Sequence, residues 1–598
     1  MDGGQAGVVG PSNGEVTLPA FASTAALVAA MMWHPAPEWT ESPDPVADPR
    51  ARKGGTLRFN GGQPPRSLNA YVDGSSYSRM TFDLMYECLI GIDPQTLDFV
   101  PCLARRWGES DDGSEFVFEL DGRAHWSDGR PVTAEDVKWT FDAVMAPSSD
   151  TGSWKAILGV FESPEVVDER TVRFVKKGGS AKDWRDLINC GMFSIMPKHA
   201  FEGREFNAAS LLGAPVSGPY RVSRIAEQVE TEFERLPGWW RRDFPSCRGT
   251  CNFDRIVMRY YASPENAFEA LKKRAIDVYP VYIARIMSEG ARGERFDRNW
   301  ILKRSVGNRK PVGFQGFAMN MRRKPFDDVR VRKAMSMLID RDTMNRTMMS
   351  GAYFMLDSYY SDLYEPGRPR PGGLYPYNVE EAKRLLAEAG LSGGFEFDFL
   401  SRSPSEDKFL SLFSRELEAC NIRMRIVRKD FAAWTRDMDS FSYDMTWAAW
   451  GSSVFKYPET MWLSSEADRR GSCNIAGFRS AAADEIIRAE KEMQTSAERN
   501  DAYRRIDALI AAECPYALLW NTNRTRLLYW NKFGMPRTVL TMHGDEGCVL
   551  THWWYDIDRA EELEDAIDSR ACLPDVPVEV DFDAAFGGVR ADAKDSER

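Results

Sequence analysis

The sequence predicts an α/β protein built as two lobes of similar style, and three observations carry that expectation. The chain has 598 residues, whereas one hydrophobic core stops growing near roughly 250 to 300 residues, so two or three domains are expected. Segments of alternating hydrophobicity follow capped segments of helical spacing along most of the chain, the order of α/β units. Hydrophobic residues make up 43% and charged residues 28%, the balance of an ordinary globular protein rather than a disordered or membrane-embedded one.

Order is expected from Lys53 onward. GGTLRF sets Leu57 and Phe59 on one face, the period of a half-buried strand. From Ser78 the chain reads as a helix ending near Gly91, then a turn at Asp93 and Pro94 and a return to Trp107. EFVFEL alternates Phe116, Phe118 and Leu120 as a strand. In the stretch from His125 to Met145, Ser127, Asp128 and Gly129 supply turn chemistry. Thr133 with Asp136 is a capping-box pattern, and Val137, Phe141 and Val144 continue one helical face. After a turn at Gly218 and Pro219, TEFERL and FDRIVMRYY read as strands. Ser263 caps a helix with Pro264 in its first position, and IDVYPV follows as a short strand, the order of a parallel crossover.

The second half repeats the style without repeating the sequence. Val331, Ala334, Met335, Leu338 and Ile339 mark a helix whose segment extends toward Gly351. Asn378 with Glu381 opens another, closed by Gly390. FEFDFL, IRMRIV and DMTWAAW read as strands, with helices over Lys408 to Cys420, Ala483 to Met493 and Ala497 to Glu513, and YALLW as a last apolar strand. The first fifty residues differ: Thr17 to Trp33 is a small-residue apolar run of signal-peptide length, followed by a Pro- and acid-rich spacer. No Lys or Arg precedes Arg50, so an atypical export leader, a misassigned start and a disordered tail all fit. Beyond about Asp556 the chain turns acidic and poorly periodic, and its end reads as a partly disordered extension.

Composition also bounds function. With 77 Lys and Arg against 89 Asp and Glu, the net charge is -12, which argues against nucleic acid as partner because phosphate binding needs a basic footprint. Ten cysteines form no CxxC pair, and the five histidines are isolated in sequence, so no cofactor, metal site or nucleophile-base pair is expected. Cys247 and Cys251 sit close together and are either two buried thiols or, if the chain is exported, a local disulfide. The 18 Trp residues serve either as core or as a ligand-contacting lining. A binding protein that closes around a ligand accounts for the absence of catalytic motifs, so no enzymatic activity is expected.

The segment W-x-D-G-x-P-V-T-A-x-D-V, here Trp126, Asp128, Gly129, Pro131, Val132, Thr133, Ala134, Asp136 and Val137, resembles a signature of the peptide-type solute-binding proteins of ABC importers, family 5. YECLIGIDPQTLDFVPCLARRW, SGPYRV and NFDRIVMRYY fall in that family's order, and the likeness runs over about Lys53 to Tyr555. FQGFAMNMRRKPFDDVRVRKA and WGSSVFKYPE look most like the subgroup associated with microcin C-type peptide uptake. The resemblance implies a two-lobed periplasmic-binding-protein type II fold with an extra subdomain in lobe I. Carried over, residues 1–52 are leader and linker; 53–80, 205–305 and 521–556 form lobe I; 81–204 form the subdomain; 306–520 form lobe II; and 557–598 form a C-terminal extension. GFAMNM and YALLWNTN are the implied hinge strands.

The implied function is that of an extracytoplasmic, monomeric receptor that delivers oligopeptides to a membrane permease. A saccharide or other small-molecule receptor on the same fold is the alternative, and a secreted hydrolase the alternative of another class. Many relatives place a Trp-x-x-Asp acid after the strand matching DMTWAAW, where it pairs with a peptide's amino terminus. Here the run is Trp450, Gly451, Ser452, Ser453, without the acid. The expected ligand contacts are Asn320, Trp447, Trp450, Ser452, Ser453 and Tyr457, with Tyr71 and Phe478 beside them.

Overall fold

A computed structural model describes residues 31–587 apart from 37–38, 179–181, 209, 365–369, 371–374 and 494. Three main sheets organise the chain. The largest has eight strands in the order Glu579–Asp581, Ile301–Gly307, Arg524–Trp530, Val278–Pro280, Thr56–Asn60, Arg255–Arg259, Glu230–Arg235 and Tyr220–Ala226. Strands Arg255–Arg259 and Val278–Pro280 both run parallel to Thr56–Asn60 and flank it, so helix Pro264–Lys272 between them is the expected crossover. Ser263 caps that helix by accepting from the Asn266 N–H.

A five-stranded antiparallel sheet contains Ala104–Glu109, Glu115–Leu120, Thr171–Val175 and Glu165–Asp168. Phe116, Phe118 and Leu120 are buried as their alternation requires. This sheet and one face of the large sheet share a continuous apolar core that includes Trp126, Val137, Phe141, Tyr220 and Phe533. Asp136 ties the signature turn into that core. Its carboxylate accepts from Thr133 N (2.9 Å), Trp126 Nε1 (3.3 Å) and Lys198 N (2.8 Å), joining turn, helix Ala134–Met145 and a distant segment.

The second lobe is built on strands Arg423–Arg428, Glu396–Ser401, Met445–Trp450, Phe314–Met319 and Tyr516–Leu518, in that order, with apolar clusters on both faces. The chain crosses between the two lobes over residues 308–313 and again over 519–523, next to GFAMNM and YALLW. Gly313 lies on the first crossing, where a Cβ would stand 1.9 Å from the Trp450 carbonyl oxygen; only glycine permits that approach.

Several expectations are corrected. The helix from Ser78 does not reach Gly91: it spans Ser76–Phe82, because the carbonyls of Leu84, Met85 and Glu87 accept from Tyr220, Gly218 and Ile195 instead of from the next turn. The helix from Val329 ends at Met337, and Arg341–Met348 starts anew with Asp340 as its cap. Buried Arg341 occupies the break, donating to the carbonyls of Ser336 and Leu518. The extension beyond Asp556 carries periodic structure through residue 587: helix Ile557–Ser569 packs on the large sheet and Glu579–Asp581 adds a parallel edge strand to it, while residues 588–598, the expected mobile end, lie outside the described residues. The end of the apolar run and the spacer are also engaged, since Met32–His34 pairs with Ala104–Glu109 and Asp44 meets His552 at 3.0 Å. The body of the apolar leader lies outside the described residues. Cys247 and Cys251 are free, buried thiols, and burial pushes both up to about 11. Thr250 closes their turn by donating from Oγ1 to the Cys247 carbonyl at 2.8 Å.

Candidate functional site

The loop after strand Met445–Trp450 is braced from within. Lys456, only 4% exposed, donates from Nζ to Asp362 Oδ2 (2.6 Å), to the Ser453 carbonyl (3.2 Å) and to Ser452 Oγ (3.4 Å). The acid serving this loop is therefore Asp362, about ninety residues earlier, and it neutralises a lysine of the loop itself. Strand periodicity then separates the two tryptophans. Trp447 packs with Phe317, Phe409 and Trp520 and donates to Gln315 Oε1 at 3.0 Å. Trp450 lies on the opposite face and donates to the Tyr516 hydroxyl at 3.2 Å.

Beyond Trp450, the loop meets the region of the antiparallel sheet around Glu115–Leu120, the small sheet. Arg185, 1% exposed, holds Asp183 through Nε and Nη2 (2.8 and 2.9 Å) and reaches across to Glu459 Oε2 (3.0 Å) and the Lys456 carbonyl (3.1 Å). Trp184 donates from Nε1 to fully buried Glu490 at 2.8 Å and from its backbone to the Lys491 carbonyl at 3.0 Å. Tyr457, 39% exposed, lies beneath the Arg185 guanidinium, 5.0 Å from the ring centre. Phe455 stacks on Phe99 with centroids 6.0 Å apart. These contacts close one side of the gap between the lobes.

On the first lobe, helix Ser76–Phe82 presents a second group. Arg79 and Asp83 form an i,i+4 ion pair at 3.0 Å with side chains 40% and 50% exposed. Burial nevertheless raises the Asp83 carboxyl above its ordinary range, outweighing the lowering pull of Arg79. The Arg79 guanidinium lies 5.2 Å from the Trp154 ring centre. Tyr77, its hydroxyl pushed up to about 12 by burial, sits 3.2 Å from the Tyr282 hydroxyl, and Tyr353 of the second lobe donates to the Tyr282 carbonyl at 3.4 Å. Helix Ser76–Phe82 thus adjoins the line where the lobes meet.

Three of the sequence-derived contacts are core residues. Tyr71 is 4% exposed and donates its hydroxyl to the Ser194 carbonyl; its ring supports Trp154 edge to face, under Arg79. Asn320 is fully buried and spends its amide on the carbonyls of Phe441 and Tyr443 and on Arg322. Phe478 is fully buried against Trp462. Trp447, Trp450, Ser452, Ser453 and Tyr457 keep partial exposure in the second lobe. Arg79, Asp83, Trp154 and Arg185 carry no local motif that would have singled them out. Among the described residues no cluster of three or more His, Cys, Asp or Glu is placed to hold a metal, and no helix is long and apolar enough to cross a membrane.

A family profile described as bacterial extracellular solute-binding proteins, family 5 Middle, matches residues 98–472. A Brucella suis relative is 28% identical over 518 residues, covering 78% of this chain and 79% of its own. The peptidoglycan-binding protein YepA of Agrobacterium fabrum is 26% identical over 78% of this chain and 85% of its own. Among solved structures, the periplasmic binding protein DppA of Helicobacter pylori, in complex with the peptide STSA, matches with a TM-score of 0.67 at 18% identity, over 84% of this chain and 99% of that one. That likeness shows the two-lobed periplasmic-binding-protein fold.

Proposed function

Because this chain belongs to family 5 of the bacterial extracellular solute-binding proteins, we propose that its ligand is an oligopeptide held between the lobes. Members of the family are binding proteins rather than enzymes, and they deliver ligand to the permease of an ABC importer from outside the cytoplasm. The observation that carries the peptide reading is the half-exposed Arg79–Asp83 ion pair beside Trp154. A zwitterionic peptide offers both charges that such a pair exchanges for, and charge-assisted bonds strengthen as closure removes water. Asp83 takes the role of the acid missing after Trp450, from the other lobe, while Trp450, Ser452, Ser453 and Tyr457 meet the rest of the ligand. The subgroup likeness to microcin C-type uptake and a monomeric receptor belong to the same reading.

The test is calorimetry and thermal shift with peptides carrying free or acetylated amino termini, against chito-oligosaccharides. Binding of free-amino peptides that Asp83→Asn weakens about tenfold or more, with acetylated peptides unaffected, supports the reading. Stabilisation by saccharides alone sinks it. The peptidoglycan-binding relative favours a second reading in which the peptide carries a sugar; a muropeptide that outcompetes the bare peptide is its expected sign.

A further inference from the structure

Away from the interlobe gap, a pocket of about 450 Å³ opens on the first lobe where distant parts of the chain meet beside Arg304. Its walls come from the spacer at Arg50 and Arg52, from the segments around Met535 and Ile557, and from the C-terminal extension at Val576 and Val580. Five guanidiniums line it, those of Arg50, Arg52, Arg304, Arg537 and Arg559, against two carboxylates, Asp556 and Asp558. Counting Asp48, which pairs with Arg50 from beside the lining, five guanidiniums meet three carboxylates, a local positive excess in a chain whose total is -12. Converging like charges raise the local potential and favour an anion between them.

Part of this charge is answered from within. Asp48 answers Arg50 at 2.7 Å, and Asp556 answers Arg559 at 3.5 Å while also capping helix Ile557–Ser569. Arg304 is 9% exposed; one of its terminal nitrogens donates to the Pro577 carbonyl, but its Nε–H has no acceptor among the described residues. A buried donor left unpaired is unfavourable unless a partner is supplied. Arg52 is exposed and has neither hydrogen-bond nor ion-pair partner among the described residues. The rest of the wall is apolar, including Met535, Val539, Trp554 and Ile557, the last 55% exposed. The volume falls in the range of small-molecule sites, about 300 to 1,000 Å³, more than an inorganic ion fills.

We infer that this pocket binds an amphiphilic organic anion, its phosphate or carboxylate head among the arginines and an aliphatic tail against Met535 and Ile557. Occupancy would fasten the spacer and the C-terminal extension to the first lobe, independently of the ligand between the lobes.

Octyl phosphate is the probe, titrated into the full chain by calorimetry and thermal shift at constant ionic strength, with inorganic phosphate in parallel. Saturable binding of octyl phosphate, at least about tenfold tighter than inorganic phosphate, is expected. Arg52→Gln and Ile557→Glu, both at exposed positions, should each weaken it about tenfold. Arg224→Gln, on the far end of the same sheet, should not. No binding at millimolar octyl phosphate, or binding that neither pocket variant weakens, overturns the assignment. Retention by phosphatidylglycerol vesicles but not phosphatidylcholine vesicles, lost in the same variants, identifies a lipid headgroup as the source. Octyl phosphate binding without vesicle retention identifies a soluble anion.

Discussion

Replacing Arg185 by Gln removes the cation that joins the region of the small sheet to the second lobe. Its two bonds to Asp183 stay on one side of the gap and cancel between open and closed forms. The bonds to Glu459 Oε2 and to the Lys456 carbonyl, at 3.0 and 3.1 Å, exist only when the lobes meet. Hydrogen bonds to a charged group contribute about 1.5 to 3 kcal/mol each, so the interlobe loss is at least about 3 kcal/mol. The substitution also leaves Glu490 without the guanidinium 3.6 Å away, although burial already raises its carboxyl above the ordinary range. A loss of about 3 kcal/mol shifts closure about a hundredfold, turning a protein about 99% closed into one about half closed. Small-angle scattering should show a larger radius of gyration for Arg185→Gln, and peptide affinity should fall in step. Adding Glu490→Gln should recover part of both effects, because it removes the stranded carboxylate. A scattering curve that superimposes on the parent, with affinity within about twofold, would refute the interlobe role.

Two further outcomes rest on buried carboxylates. Burial, opposed by Arg241 and Trp240, raises Glu87 to about 7 from an ordinary 4.5. An acid whose folded value is raised binds more protons folded than unfolded, so stability falls as pH rises from about 4.5 to about 7 and levels off above. The contribution is on the order of 3 kcal/mol, and urea midpoints at pH 5 and 7.5 should differ less in Glu87→Gln than in the parent; an unchanged difference would count against it. Asp136→Ala leaves Trp126 Nε1 and the Thr133 and Lys198 N–H groups without their acceptor. It should destabilise the first lobe by about 3 kcal/mol in urea unfolding, and Asp136→Asn by less.

Local patterns reached far into this fold. Phe116, Phe118 and Leu120 alternate because the strand period is two residues, and Ser263 and Asn378 cap helices through bonds to the third residue on. The resemblance of the turn around Trp126 to a known family was legible for the same reason: the turn, the cap and Asp136 lie within about a dozen residues. The helix from Ser78 was overread because its apolar spacing continues past Asp83, while the carbonyls there are taken by residues more than a hundred positions away.

The candidate site was the least legible part. Asn320, Phe478 and Tyr71 have residue types suited to ligand contact, but each is consumed by packing that only distant segments supply. The loop from Trp450 to Tyr457 is a contiguous feature, and the sequence alone determined both its aromatics and the absence of an acid at Ser453. Only the tertiary structure decided which partners answer it: Asp362 inside the second lobe and Arg185 across the gap. Charge pairing is set by distance in space, and these side chains are brought together by chain crossings that no local periodicity encodes.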